Sequence, residues 1–199
     1  MKKLLLCLLT MLFAVSAQAT AITWRTGMLY VPVPATPGDS TAPANSGTEI
    51  APGAQYSATV YFFTSSTAAS AHLLDPESTT PFYQQPSVAG QGYLNQNSPT
   101  VAHWLQAKTS DVFLEQTLYY AYVVITSPMT TNGDESGYWE LISAISNVQT
   151  AAGNMNYNFR DNGSAFATQS WQWVPVPEPA TMALVGIGIV ALGLRRRRK

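Results

Sequence analysis

Apolar and polar residues alternate along two long stretches of the chain, and a period of two is typical of β-strands. In residues 55–64 every second side chain from Tyr56 to Phe62 is apolar, which predicts a strand with one buried face. In residues 111–126 apolar side chains occupy both faces. We therefore predict that this second stretch is a central strand, covered on both sides.

Weaker alternation predicts the remaining elements. In residues 138–148 apolar side chains recur at helical spacing as well as at alternate positions, and the neighbouring strands favour a strand. Proline and glycine clusters mark the loops between elements. The further predictions are a first strand at 21–33, a loop at 34–47, a short helix at 65–74, a loop at 79–99, a turn at 131–137, and a closing hairpin formed by 155–159 and 164–174 around a turn at 160–163.

These elements predict an all-β fold, an antiparallel β-sandwich or jelly-roll-like ectodomain over residues 20–174. Six to eight strands separated by turns are typical of that architecture. Residues 174–177 read Val-Pro-Val-Pro, and proline at every second position favours extended polyproline II over a strand. We therefore expect these four residues to be a stiff spacer after the last strand.

The N-terminus has the pattern of a secretory signal peptide. Lysines follow Met1, residues 4–15 are apolar except for Thr10, and Ala17-Gln18-Ala19 has the small-x-small form of a signal peptidase site. Cleavage there removes residues 1–19 and leaves Thr20 as the first residue. The alternative, a retained transmembrane helix, is disfavoured by the shortness of the apolar run.

The chain has one cysteine, Cys7, and it lies inside the predicted signal peptide. The predicted mature chain therefore has no cysteine. This excludes disulfides, thiolate metal ligands and a cysteine nucleophile from the ectodomain.

The C-terminus has three parts: Pro177-Glu178-Pro179, the uncharged residues 180–194, and a basic end. A helix over 180–194 would span roughly 22 Å, less than the ~30 Å hydrocarbon core of a bilayer, and snorkelling basic side chains would relieve the mismatch. Cations at the end orient a single helix with its C-terminus in the cytoplasm. The orienting residues are Arg195, Arg196, Arg197, Arg198 and Lys199.

In this order the three parts resemble the PEP-CTERM sorting signal of exopolysaccharide-producing Gram-negative bacteria, over residues 177–199. The resemblance implies that an exosortase, a membrane-embedded enzyme thought to be a cysteine protease and transpeptidase, recognises Pro177, Glu178 and Pro179. It implies a protein first anchored in the inner membrane with its ectodomain outside, then transferred to the cell surface or extracellular matrix. The alternative is a plain C-terminal anchor in which the prolines only end the helix.

The charge of the ectodomain is hidden by the two terminal segments. The chain has 10 basic and 11 acidic residues, but seven basic ones lie at residues 2, 3 and 195–199. Residues 20–178 therefore contain three basic residues and eleven acidic ones, which gives a net charge near −8. The three basic residues are Arg25, Lys108 and Arg160. An acidic surface argues against nucleic acid as a partner.

No catalytic, cofactor-binding or metal-binding motif is evident, and the two histidines, His72 and His103, lie far apart in the sequence. The predicted function is therefore an exported, non-enzymatic surface or exopolysaccharide-matrix protein, with signal peptidase, an exosortase, membrane lipid and extracellular polysaccharide as candidate partners. The alternative is a carbohydrate-binding or glycoside-cleaving protein. Its candidate aromatics are Trp104, Trp139, Trp171 and Trp173, and its candidate carboxylates are Asp75, Glu77, Asp111, Glu115, Asp134 and Glu135.

Overall fold

The computed structural model describes residues 19–27, 29–50, 55–87, 105–159, 166 and 168–176. This part of the chain is mostly β, and its main sheet is antiparallel, as predicted. The elements are β1 (Ala19–Thr20), β2 (Ile22–Arg25), β3 (Thr41–Pro43), β4 (Ser57–Phe63), α1 (Ser66–Leu74), β5 (Tyr83–Pro86), β6 (Gln106–Lys108), β7 (Phe113–Leu114), β8 (Leu118–Thr126), β9 (Thr130–Asn132), β10 (Glu135–Ile142), β11 (Ser146–Gln149), β12 (Met155–Asn158) and β13 (Ser170–Pro175).

The main sheet is antiparallel, with the strand order β3-β13-β10-β8-β4-β5; β9 also pairs with β10, and β11 with β8. β8 therefore lies centrally, as residues 111–126 predict. That stretch is not one strand, however. Gln116 has a φ of 53°, and the Thr117 N–H donates to Thr150 Oγ1 at 2.8 Å, so the chain turns between β7 and β8.

A smaller sheet has the order β12-β2-β6. β2 and β6 are antiparallel, but β12 lies parallel to β2, with Tyr157 opposite Trp24. The predicted closing hairpin is therefore wrong, because β12 pairs with the N-terminal strand while β13 joins the main sheet between β3 and β10. Residues 160–163, the predicted turn of that hairpin, lie outside the described residues.

The two sheets share one hydrophobic core. Ile22 and Trp24 from the small sheet are fully buried, and the Trp24 indole N–H donates to Gln85 Oε1 of the main sheet at 3.3 Å. The alternation predicted for 55–64 is confirmed, since its apolar face is buried in this core. The main-sheet residues buried here include Ala58, Val60, Phe62, Tyr119, Ala121, Val123, Ile125, Trp139, Leu141, Trp171 and Trp173, and Tyr56 just before β4 is buried with them.

Helix α1 covers one end of the opposite face of the main sheet, where Phe63, Tyr122 and Ala69 form a second buried cluster. The helix is the one predicted for residues 65–74. Its N-terminus is capped by Ser65, whose side chain accepts from the Ala68 N–H at 3.1 Å. A cap of this kind satisfies one of the free amides of the first turn.

Several predicted boundaries were wrong because short strands form by pairing with distant partners. The first strand ends at Arg25, well before residue 33, and the predicted loops at 34–47 and 79–99 contain β3 and β5. The turn at 131–137 is confined to Gly133 and Asp134 between β9 and β10. Residues 138–142 and 146–148 are strand, as favoured, and belong to β10 and β11. His103 and residues 88–104 lie outside the described residues.

Truncation of a core phenylalanine tests the packing between the sheets. Phe62 is fully buried with its ring 4.7 Å from that of Phe113, whereas Phe82 is 46% exposed. Phe62→Ala is expected to lower the free energy of unfolding by about 3–5 kcal/mol, through lost burial and the resulting cavity. The same substitution at Phe82 removes ring contacts worth only about 1 kcal/mol. Urea unfolding of the two variants measures the difference, and equal losses would contradict the assigned core.

The imidazole of His72 tests the packing beneath the helix. It is buried and hydrogen-bonded through Nδ1 to the Tyr122 hydroxyl. Burial lowers the pKa of His72, against a smaller opposing effect of the Asp75 carboxylate. The folded protein thus binds this proton more weakly than the unfolded chain. The contribution of His72 to the free energy of unfolding should be fully present above about pH 6.5, the pKa of a histidine in the unfolded chain. It should decrease as the pH falls from there toward the lower pKa of His72 in the folded protein.

Urea unfolding at about pH 7.5 and about pH 5.5 measures this loss. His72→Gln keeps a hydrogen-bonding side chain but cannot titrate, so its stability should change less between the two pH values. Glu140, whose pKa is raised by burial, is present in both proteins and cancels from the comparison. An equal loss in wild type and variant would show that His72 is not the titrating group.

Candidate functional site

The C-terminal strand β13 is paired with one neighbour over its first half and with another over its second half. It pairs with β3 through residues 170–172 and with β10 through residues 172–175. Trp171 is fully buried and Trp173 is 9% exposed. Trp173 packs edge-on against Trp139 of β10, with ring centroids 5.2 Å apart. These contacts anchor the strand in the shared core.

The second half of β13 continues along β10 after β3 has ended. Pro175 lies opposite Gly137, and the Val176 N–H donates to the Ser136 carbonyl at 2.9 Å. The predicted spacer at 174–177 is therefore wrong for its described residues, which are paired with the sheet as far as Val176.

The direction of the backbone amides explains why this proline-rich strand end is tolerated. Successive N–H groups in a strand point to opposite edges. The Trp173 N–H points away from β10 and donates to the Ser40 carbonyl at 2.8 Å, whereas the Val176 N–H points toward β10. The nitrogen of Pro175 therefore faces the open edge, where no partner strand needs a donor. A sequence that alternates proline and valine is thus compatible with a strand at the edge of a sheet as well as with polyproline II.

The β9–β10 hairpin lies beside this strand end and is braced by side-chain hydrogen bonds. The Asn132 side chain accepts from the Gly38 N–H at 3.0 Å and donates to the Asp39 carbonyl at 2.7 Å. The Trp173 indole N–H donates to Glu135 Oε2 at 3.3 Å. These bonds tie residues 38–39 and β13 to the hairpin.

A pocket of about 410 Å³ opens between the hairpin and the proline-rich loop. Tyr56 and Trp139 contribute its aromatic surface, and prolines line much of the rest. Ser127 in its wall is already engaged, since its hydroxyl accepts from the Trp139 N–H and donates to the Pro128 carbonyl, both at 2.8 Å. The pocket presents polar surface from residues such as Thr130 and Thr131 beside its apolar surface. Its lining residues are Val31, Pro32, Val33, Pro34, Pro37, Tyr56, Ser127, Pro128, Thr130, Thr131, Asn132, Gly133 and Trp139.

The predicted signal peptidase site falls at the edge of the domain. Ala17 lies outside the described residues, while Ala19 and Thr20 form β1, opposite Leu114 and Phe113 of β7. Ala19 is exposed, whereas Thr20 is 1% exposed and its hydroxyl donates to the Gly153 carbonyl. Thr20 is therefore integrated into the folded domain.

Of the tryptophans proposed for carbohydrate binding, the three that the structure describes are buried. Trp139, Trp171 and Trp173 belong to the core, and Trp104 lies outside the described residues. Their alternation reflects burial against the second sheet, which is the commoner role of aromatic residues in strands.

The candidate carboxylates are dispersed over different elements. Asp75 ends α1, and its Oδ1 accepts from the Glu77 N–H at 3.1 Å. Glu115 accepts from the Gly153 N–H at 2.8 Å. Asp134 and Glu135 lie at the β9–β10 hairpin, and Asp111 is exposed in the segment before β7. Asp75 and Glu115 thus accept hydrogen bonds from backbone N–H groups in turns.

A cluster that sequence reasoning missed lies on the helix-covered face of the main sheet. Tyr61 and Tyr122 stack with ring centroids 5.2 Å apart, and burial raises the pKa of both hydroxyls, with Glu140 adding to the shift. Burial also raises the pKa of Glu140. Alternation placed Tyr122 correctly opposite the core-facing residues, but nothing in the sequence indicated that Glu140 would share this face with Tyr61.

The predicted sorting residues Pro177, Glu178 and Pro179, the predicted helix at 180–194 and the basic residues 195–199 lie outside the described residues. Within the part of the chain that is described, no helix has the length and apolarity needed to cross a membrane.

Comparison with known proteins identifies the C-terminal segment. A family model described as the PEP-CTERM protein-sorting motif matches residues 175–198. No curated protein and no solved structure matches the chain. The C-terminal segment 175–198 therefore carries a PEP-CTERM protein-sorting motif, and the matched segment begins at Pro175, the last residue of β13.

Proposed function

We propose that this protein is a non-enzymatic component of the cell surface or exopolysaccharide matrix that is exported, held in the membrane by its C-terminal segment and processed by an exosortase. The single observation that carries the proposal is the sorting-motif match at 175–198, which begins at the last residue of the strand that completes the main sheet. Residues 1–19 act as the signal peptide in this account. The ectodomain, a two-layer β-sandwich, is the part delivered.

The physical role of the C-terminal segment is temporary anchorage. Residues 180–194 cross the membrane as a short helix, and the five basic residues at 195–199 hold its end on the cytoplasmic side. Pro177, Glu178 and Pro179 then lie at the outer surface of the inner membrane, within reach of a membrane-embedded enzyme. Cutting there releases the ectodomain for transfer to the surface or matrix.

The interactions of the tryptophans and carboxylates support a structural role for the ectodomain. Its described tryptophans stabilise the core, and carboxylates such as Glu115 serve backbone amides. The acidic net charge favours solubility in the envelope and disfavours nucleic acid. Extracellular polysaccharide is the proposed partner after release.

The glutamate of the motif tests processing. Glu178→Ala should leave a longer, membrane-held form, because an exosortase that reads Pro-Glu-Pro would lose the only charged group of the motif. Glu77→Ala, the same substitution at an exposed ectodomain position, is the matched control and should be processed normally. Immunoblotting of membrane and released fractions from the producing cells separates the two forms. Equal release of both variants would favour a plain anchor.

The basic end tests orientation. Replacing residues 195–199 with serine and glutamine should weaken membrane retention and the fixed topology, since no cations would then hold the C-terminus in the cytoplasm. Protease protection of intact spheroplasts reports the topology. An unchanged topology and membrane fraction would show that the basic residues do not orient the segment.

A further inference from the structure

The sorting motif and the folded ectodomain overlap. The matched segment begins at Pro175, yet Pro175 is the last residue of β13 and Val176 is still hydrogen-bonded to Ser136. No residues separate the sheet from the segment that the motif covers.

This overlap creates a competition for backbone groups. Enzymes that act on peptide bonds commonly bind their substrate extended, with hydrogen bonds to its main chain. The Val176 N–H already donates to Ser136, and Val174 lies opposite Tyr138 of the same strand. These backbone groups cannot serve β10 and an enzyme at the same time.

The structure also defines how far the strand end can open. Pro175 is exposed and Val176 is 37% exposed, so releasing them removes little apolar surface from the core. Pro175 has no N–H to contribute to the ladder. Trp173, in contrast, is 9% exposed and packs against Trp139. The free energy needed to detach β13 from β10, starting at the C-terminal end, therefore increases sharply at Trp173.

We infer that residues 174–176 form a strand-end latch: they must leave β10 before the processing enzyme can engage the motif, and the buried Trp173 limits the opening to these three residues. Processing then depends on a local opening of the folded domain rather than on its global unfolding. This inference rests on the proposed exosortase processing.

A reversible cross-link tests the latch. Ser136 lies opposite Val176, because the register places Gly137 opposite Pro175 and the Val176 N–H donates to the Ser136 carbonyl. Such hydrogen-bonded antiparallel pairs have Cα atoms about 5.5 Å apart, within the range that a disulfide spans. The test variant is Ser136→Cys with Val176→Cys, made in a Cys7→Ser background so that no other thiol is present.

The matched control is Glu140→Cys with Gln172→Cys. These residues are opposite each other in the same strand pair, four positions further from the motif, so their cross-link joins β10 to β13 but leaves the strand end free. Each full-length variant is produced in cells that contain the native exosortase, and processing is followed by pulse-chase with and without dithiothreitol.

The oxidised Ser136→Cys/Val176→Cys protein should be processed about ten-fold more slowly than the same protein after reduction, because the cross-link removes the open state. The control pair should be processed at similar rates in both redox states. Reduction also distinguishes a latch effect from misfolding, since a misfolded variant would not recover its rate.

A spacer provides the second arm. Inserting Gly-Ser-Gly-Ser between Val176 and Pro177 supplies unpaired residues for the enzyme, so it should restore processing of the oxidised test variant. Equal processing of the oxidised test and control pairs would overturn the latch while leaving exosortase processing intact, provided that Glu178→Ala remains uncut. If the wild-type protein stays uncut like the Glu178→Ala variant, exosortase processing does not occur, and both the proposed function and the latch are contradicted.

Discussion

The structure depends on the burial of Trp171 and Trp173 in the core shared by the two sheets. These side chains fix β13 between β3 and β10 and thereby complete the main sheet. Each large aromatic side chain buried in this way removes 150–250 Å² from water. Because the strand that carries them is also the last described element before the sorting motif, the same interaction sets where the C-terminal segment leaves the domain.

The proposed export and anchorage act on the two ends of the folded domain, which lie in β1 and β13. The N-terminal residue expected after signal peptide removal, Thr20, is buried in β1 against β7, and the C-terminal end of the sheet leads directly into the motif. Both predicted processing sites thus lie at the margins of folded strands. A folded ectodomain with both ends integrated into sheets is well suited to transfer as a unit.

The sequence predicted which faces are buried better than it predicted which strands are neighbours. Alternation correctly placed Val60 and Phe62 on the core face, and the alanine-rich composition of residues 65–74 correctly indicated α1, because both signals act within a few residues. It failed for β12 and β13, which pair with strands more than 100 and about 30 residues away. The alternation of apolar and polar residues along a strand indicates which face of the strand is buried. It contains no information about which other strand it pairs with.

The Val-Pro-Val-Pro segment shows a second limit of sequence reasoning. Its composition favours polyproline II equally well, and only the direction of the Val176 N–H toward Ser136 decides for the sheet. Glu140 was missed for a related reason: its environment is created by Tyr61 and Tyr122 on neighbouring strands. The sorting segment, in contrast, was recognised from its own order of residues, because it acts as a linear signal.

The central claim is that the chain is trimmed at both ends and that its ectodomain is what the cell retains outside. Intact-mass measurement of the mature protein from the producing cell tests this most directly, since one value reports both termini. The account predicts a chain that begins at Thr20 and has lost the residues beyond the sorting motif. A mass equal to that of all 199 residues, in protein recovered from the cytosol, would contradict it.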